Sequence, residues 1–380
     1  MPRLSEIQTP AAIVDLERLQ RNCMRMKEKA RAAGVRLRPH LKTAKSAEVA
    51  ALATEGGNGP IVASTLSEID YFGRAGFLDI TYAVGISAAK IPTLAGLKRA
   101  LKVEITLIAD SVEAIRAVSE AASASGASFP FLIEIDCGGG RGGVAWDGPE
   151  LIAIAEAIKG SGCLTLAGVL THAGHSYATR TTDQIIRIAE DERLAAVSAA
   201  RRLRERGFAA GTVSVGSTPT CTFARSFEGV TEIRPGVYTF NDLDQVMLGV
   251  CATEDIAASV LTTVIGHNPR SDRLLIDAGG LALSKDLSAD HFDGKIGYGL
   301  VCREDSLVPV EGVHVAAVHQ EHGFIAIDRD RAGDFAPEIG TRLRIVPNHA
   351  CMTVAPYDHY HVVGAGSDAV IAVWSKACGW

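Results

Sequence analysis

Seven short stretches of the chain carry residue types that can do chemistry. "RPHLKTAK" (38–45) puts His40, Lys42 and Lys45 within six positions. An amine beside an imidazole and a second cation can bond a carbonyl or take a proton, although a solvated turn would read the same way. "DCGGGRGG" (136–143) carries Arg141 on a glycine-rich turn, and "THAGHSY" (171–177) carries His172 and Tyr177. In "GSTPT" (216–220) and "RPGVY" (234–238), the Ser217 and Thr218 hydroxyls and the backbone N–H groups near Gly236 and Val237 suit phosphate oxygens, or else form ordinary turns. "NHAC" (348–351) sets His349 and Cys351 two apart, which in an extended segment sends both side chains to one face. Imidazole with thiolate favours zinc and leaves positions open for water and substrate; a half-buried histidine near a core cysteine is the plainer alternative. "HQEHG" (319–323) adds His322 on what reads as a charged hairpin.

These stretches need elements to hold them. β-rich runs occur at 35–39, 60–64, 79–84, 103–109, 129–136, 164–171, 212–216 and 231–238, with helical patterns between them. Eight strands linked by helices in about 210 residues suggest a closed (β/α)8 barrel rather than an open sheet. A further helix, "LERLQRNCMRMKEKARAAG", precedes the first strand. From about residue 250 the runs "ASVLTTVIGH", "RLLIDAG", "GVHVAAVHQ", "TRLRIVP" and "AVIAVW" alternate without helix-length segments between them, as an all-β domain would. The expected division is a barrel over 12–250 and a β-domain over 251–380 with residues 1–11, carrying the His349 and Cys351 pair. Chemistry in such barrels gathers where strands end, and the first, fifth, sixth, seventh and eighth strands end in the motifs above. The glycines of 138–143 also match G-x-G-x-x-G, but they follow a fifth strand and open into no helix, so a dinucleotide site is rejected. They are expected to present Arg141 to the barrel mouth.

Composition narrows the partners. The chain has 380 residues, 47% of them hydrophobic and 22% charged, which suffices for two ordinary cores. Its formal charge of -6 is spread without blocks of like sign, so a small molecule is a better partner than nucleic acid or a membrane surface. No apolar run has the length of a membrane span, and "MPRLSEIQTPAAIVD" lacks a signal-peptide core. Eight cysteines without a C-x-x-C pair fit a reducing, cytoplasmic setting, most of them as small buried hydrophobes.

Together, "RPHLKTAKS", "DCGGGRGGV", "THAGHSY", "VGSTPT", "RPGVY", "QEHG" and "PNHAC" resemble the metal-dependent D-serine dehydratase, D-threo-3-hydroxyaspartate dehydratase and D-threonine aldolase family, nearly end to end. That family lies within the fold-type III pyridoxal-phosphate enzymes typified by alanine racemase. The resemblance implies pyridoxal 5'-phosphate held covalently by Lys42, which also removes the substrate Cα proton, and Arg141 facing the cofactor's phenolate oxygen. It implies a phosphate held by Ser217, Thr218, Gly236 and Val237, with Tyr238 beside them. Arg234 would face the pyridine nitrogen or form a structural ion pair beneath the site. His172 and Tyr177 would line the cofactor or meet the substrate carboxylate. His349 and Cys351 would hold a divalent metal (zinc first, then manganese, cobalt or nickel) at the substrate β-hydroxyl, in a homodimer acting on small D-amino acids.

Two reactions then compete. Elimination of the β-hydroxyl gives a keto acid and ammonia, whereas retro-aldol cleavage gives glycine and an aldehyde. Aldolases of this family carry a "GGGTG" loop and an H-x-D metal pair, while this chain has "GSTPT" and H-x-C. Dehydration is therefore expected, with D-threonine aldolase the alternative and a non-catalytic cofactor carrier a more distant one.

Overall fold

The computed structural model describes residues 2–268, 270, 273–291, 296–364 and 366–380. The chain divides into two compact units, one of Arg25–Gly236 with Gly379–Trp380 and one of Met1–Met24 with Val237–Cys378. In chain order β1 (Ala11–Asp15) runs into α1 (Leu16–Ala32). Eight strands follow: β2 (Arg36–Leu37), β3 (Ile61–Ala63), β4 (Asp79–Tyr82), β5 (Glu104–Ala109), β6 (Phe129–Ile135), β7 (Leu164–Thr171), β8 (Thr212–Val215) and β9 (Glu232–Ile233). Seven helices separate or follow them: α2 (Ala47–Ala53), α3 (Leu66–Arg74), α4 (Ile91–Leu101), α5 (Val112–Ala124), α6 (Glu150–Gly160), α7 (Thr182–Glu205) and α8 (Thr218–Phe223).

β2 to β9 form one parallel sheet in the order β2-β9-β8-β7-β6-β5-β4-β3. Its two ends meet: His40 bridges Val62, with Leu41 N–H donating to Val62 O and Val62 N–H to Pro39 O, both at 3.0 Å. The expected barrel is present. Its first and last strands are shorter than their β-rich runs because Pro39 and Pro235 lack an N–H and interrupt the regular ladder, although Arg38 N–H still donates to Ile233 O and His40 N–H to Pro235 O, both at 2.9 Å. Helix starts follow their caps, as in Thr65 accepting from Glu68 N and the Thr181 and Gln184 capping box that opens α7.

A charged network ties the strands together. Buried Arg38 donates to Glu232 at 3.0 Å and to both oxygens of Asp79 at 2.7 and 3.1 Å, and Ser214 donates to the other oxygen of Glu232 at 2.6 Å. Such a pair survives burial because each partner is satisfied by several hydrogen bonds.

The second unit is a nine-stranded sheet of β1 with β10 (Ala258–Asn268), β11 (Arg273–Ile276), β12 (Leu300–Arg303), β13 (Pro309–Val318), β14 (Gly323–Ile327), β15 (Arg342–Val346), β16 (His359–Val363) and β17 (Val370–Ser375). The order is β11-β14-β13-β12-β15-β10-β1-β16-β17, antiparallel except for β1 against β16. Its core includes Val260, Ile276, Val301, Val315, Ile325 and Ile345. Three short helices interrupt it: α9 (Leu243–Met247), α10 (Gly280–Leu283) and α11 (Ala350–Val354).

The units meet the chain at 24/25 and 236/237, where the sequence suggested 11/12 and 250/251. β1 is buried along its whole length between β10 and β16, and Leu243 packs with Ile256, Cys302 and Val346, so both segments gain their burial in the β-rich unit. Among the described residues the cysteines form no disulfide; Cys23, Cys221 and Cys302 are fully buried, fewer than composition suggested, and Cys378 is exposed. Among the described residues no helix is long and apolar enough to cross a membrane.

Candidate active site

A cavity of about 430 Å3 opens in the barrel unit, lined among others by His40, Lys42, Asp110, Glu134, Arg141, His172, Gly216 and Arg234. That volume is ordinary for a small-molecule site. Five side chains singled out from sequence thus line one cavity: His40, Lys42, Arg141, His172 and Arg234.

Lys42 follows β2 in a turn, exposed, with its N–H donating to His40 Nδ1 at 3.4 Å. His40 Nε2 therefore carries the ring proton toward Ser64 Oγ at 3.4 Å. Burial, together with Lys42, Arg234, His172 and Arg141, holds His40 well below its ordinary pKa. Lys45, the other lysine of the motif, is committed elsewhere: it pairs at 3.1 Å with Glu68, which is fully buried.

Arg141 stands on a loop whose turns are fixed by Asp136 Oδ1, accepting from Gly138 and Gly140 N–H at 2.9 and 3.1 Å, and by Asp110, accepting from Gly143 N–H at 3.0 Å. Its guanidinium reaches Glu134 at 3.4 Å. Across the cavity His172 Nδ1 lies 2.8 Å from Gly216 O, and since a carbonyl only accepts, Nδ1 carries the proton and Nε2 the lone pair. Burial outweighs that bond and, with Lys42, Arg141 and Arg234 nearby, lowers the His172 pKa to about 3. Both imidazoles are therefore neutral near pH 7, and the cations lining the cavity are Lys42, Arg141 and Arg234.

Arg234 is buried and donates to Thr171 O at 2.6 Å and to Ser214 Oγ at 3.3 Å. Gly216 has φ +133, and a Cβ there would stand 2.9 Å from Arg234 N and from Cys221 Sγ. A Cβ at Gly236 would stand 2.8 Å from His40 O. Only glycine allows these approaches. Ser217 is the N-cap of α8, its Oγ accepting from Thr220 N at 3.2 Å and lying 3.0 Å from Ser176 Oγ. Its hydroxyl is thus used within the fold, which shifts any phosphate-holding role toward backbone N–H groups. Ser217, Thr218 and Gly236 do not line the cavity, nor does half-buried Tyr177, which sits in the one-turn helix Gly174–Ala178. Val237 and Tyr238 open the one-turn helix Val237–Thr239 of the other unit.

In the β-rich unit His349 is the extended N-cap of α11 and Cys351 lies inside that helix. The expected extended segment is therefore absent at Cys351, and the two side chains meet through a helix start, with Cys351 hydrogen-bonded to His349. Nδ1 of His349 is 2.7 Å from Asp286 Oδ2, the carboxylate–histidine arrangement that orients a metal-ligating ring. Burial opposes charge on His349, but Asp286 and Cys351 outweigh it and raise its pKa to about 11. Asp242, fully buried and accepting from Ala350 N at 2.8 Å, is raised by burial to about 6. Beyond the pair no third His, Cys, Asp or Glu joins a metal-binding group among the described residues. His322 sits in the β13–β14 hairpin turn, exposed.

Two residues of the site had no place in the sequence reading. Buried Glu192 accepts from Ala173 and Gly216 N–H at 2.9 and 3.0 Å, tying the loops after β7 and β8; its signal was its place on the apolar stripe of α7 with Ile185, Ala189 and Ala196. Asp286 had no local signal, being 63 residues from His349.

Residues 14–244 match the family model for the alanine racemase N-terminal domain and residues 257–363 that for a putative serine dehydratase domain. A barrel of the first kind followed by a domain of the second defines the class. D-threo-3-hydroxyaspartate dehydratase of Delftia sp. is 43% identical, covering 99% of both chains, and D-serine dehydratase of Dictyostelium discoideum is 33% identical, covering 95% of this chain and 94% of that one. A solved structure of a cysteine-to-alanine mutant of D-threo-3-hydroxyaspartate dehydratase in the metal-free form superposes with a TM-score of 0.93 at 42% identity, covering 100% of both chains. The chain belongs to this family of D-amino-acid dehydratases, and it is an enzyme of the lyase class.

Proposed function

We propose that the chain eliminates water from D-β-hydroxy amino acids of the D-serine and D-threo-3-hydroxyaspartate type, using pyridoxal 5'-phosphate in the barrel cavity and a divalent metal at His349 and Cys351. The observation that carries this is the cavity itself, where exposed Lys42 stands among Arg141, Arg234 and two neutral imidazoles, in a chain alike over its whole length to named dehydratases.

The residues present suit both groups. The cationic side chains Lys42, Arg141 and Arg234 at the cavity favour an anionic, phosphate-bearing ligand. Lys42 would anchor it covalently, Arg141 would face its phenolate oxygen, Arg234 its ring nitrogen, and Ser217, Thr218, Gly236, Val237 and Tyr238 its phosphate. Imidazole beside thiol, with Asp286 behind the ring, suits zinc or another borderline ion. When bound, the cofactor supplies an electron sink for the Cα carbanion and the metal a Lewis acid at the β-oxygen.

The chain does the rest. Lys42 takes the Cα proton from one face, which selects the D configuration, and neutral His172 offers Nε2 as an acceptor toward the substrate or cofactor. Tyr177, which follows β7 outside the cavity lining, would reach the cofactor or the substrate carboxylate only with the ligand bound. Net loss of Cα–H and Cβ–OH as water, then hydrolysis, yields a keto acid and ammonia. Thiolate ligation at Cys351 favours this over aldol cleavage, which needs a base for the β-hydroxyl. We further propose a homodimer and, from cysteine usage, a cytoplasmic setting.

Incubation of the metal-loaded enzyme with D-serine, D-threonine, D-threo-3-hydroxyaspartate and their L counterparts, assaying keto acid and glycine, tests the reading. Keto acid from D substrates alone is expected. Glycine as the main product would establish the aldolase instead.

A further inference from the structure

β16 carries a second pair of nitrogen ligands. Residues two apart on a strand share a face, and His359 and His361 do so with their ring centroids 4.8 Å apart and their Nε2 atoms 3.2 Å apart. β16 lies next to the edge strand β17, with His359 opposite Ser375 and His361 opposite Val373, which is exposed. The Asp358 carboxylate hydrogen-bonds Nδ1 of His359, directing Nε2 away from it, and the side chains of Asp358 and His359 are 81% and 43% exposed. Nδ1 of His361 is buried without a hydrogen-bond partner.

Two imidazole nitrogens bound to one metal at about 2.0–2.1 Å stand roughly 2.9–3.4 Å apart for bond angles between square and tetrahedral. The observed separation falls inside that interval. We propose that His359 and His361 form a second divalent-cation site, separate from His349 and Cys351, that takes zinc, nickel or copper ions. All-imidazole ligation selects these over magnesium and calcium, which require oxygen. Among the described residues no third His, Cys, Asp or Glu converges on the pair, so the remaining coordination positions belong to water or to a small anion. Without metal, His361 Nε2–H donates to His359 Nε2, whose Nδ1–H is held by Asp358, so metal binding shifts the neutral His361 ring to its Nδ1–H tautomer and replaces this hydrogen bond with two metal–nitrogen bonds. The nearby cation Lys376 is bound to the carbonyls of Val354 and Tyr357. Asp358 orients the His359 ring as a carboxylate does behind many metal-bound histidines.

The test uses the full chain, stripped with a chelator and titrated with Zn2+, then with Co2+ as a spectroscopic probe. Wild-type protein is expected to take two equivalents. A variant carrying both His349→Ala and Cys351→Ala should keep one, and its Co2+ spectrum should show d–d bands without a thiolate charge-transfer band. Adding His361→Gln to that variant should remove the remaining equivalent, and adding Asp358→Asn instead should weaken it about 10–100-fold. Circular dichroism identifies variants that fold. No Zn2+ binding in the micromolar range by the folded double variant, or an unchanged equivalent after His361→Gln, would overturn the proposal.

Discussion

At the scale of single residues, the two lysines of "RPHLKTAK" divide their roles. Lys42 lines the cavity, while Lys45 neutralises Glu68. Lys45→Met is expected to leave a buried carboxylate uncompensated and cost about 3–5 kcal/mol in denaturant unfolding; a loss below about 1 kcal/mol would show that Glu68 is not dependent on it. His172 predicts an acid sensitivity. Its pKa is about 3 in the folded chain against an ordinary 6.5, so between those values the unfolded chain binds more protons and stability falls as pH drops. The limiting slope is about 1.4 kcal/mol per pH unit. His172→Gln, which keeps a donor for Gly216 O, should lose less stability than wild type between pH 6.5 and 4, and parallel curves would contradict the assignment. Asp286 sets the His349 ring, so Asp286→Asn should weaken metal affinity about 10–100-fold in competition with a chelator, with the fold unchanged. Lys42, Arg141, His172 and Arg234 were legible because each follows a strand in a distinctive motif. Asp286 was not, because its contact with His349 depends on how the β-rich unit folds.

Elements turn those residues into a site. Gly216 sits where β8 gives way to α8, and Gly216→Ala would force a Cβ against Arg234 N and Cys221 Sγ at a positive φ. Strain of about 1–3 kcal/mol and weaker cofactor retention in equilibrium dialysis are expected. Glu192 reaches from α7 to brace the same loop. Glu192→Ala removes the acceptor of two buried N–H groups and should cost about 2–6 kcal/mol at ~1–3 kcal/mol each. Glu192→Gln keeps Oε1 and should lose much less, so equal losses in the two variants would mean that charge, rather than hydrogen bonding, holds the loops. Central barrel strands such as β3 and β6 were legible because largely buried parallel strands read as dense apolar runs, whereas β2 and β9 are two-residue strands that each carry a charged residue. At "PNHAC" the reading failed, because two chemical residues two apart look alike on a strand and at a helix start, and the backbone turns into α11 just after His349. β1, β12, β14 and β16 were also missed; the pattern of β16 is broken by the two histidines that give it interest.

For the whole molecule, division into a barrel and a β-rich unit was visible in the change from helix-length spacing to alternation near residue 250. Its boundaries were not, since β1 is local in sequence to α1 yet pairs with β10 and β16, more than 200 residues away. Lys42 is the proposed covalent anchor in the barrel cavity. Borohydride reduction of the cofactor-loaded enzyme, followed by peptide mass mapping, tests this most directly. A pyridoxyl group on the peptide containing Lys42, and its loss in Lys42→Ala, is the expected result; a label on Lys45 or Lys285 in the wild-type enzyme would contradict it.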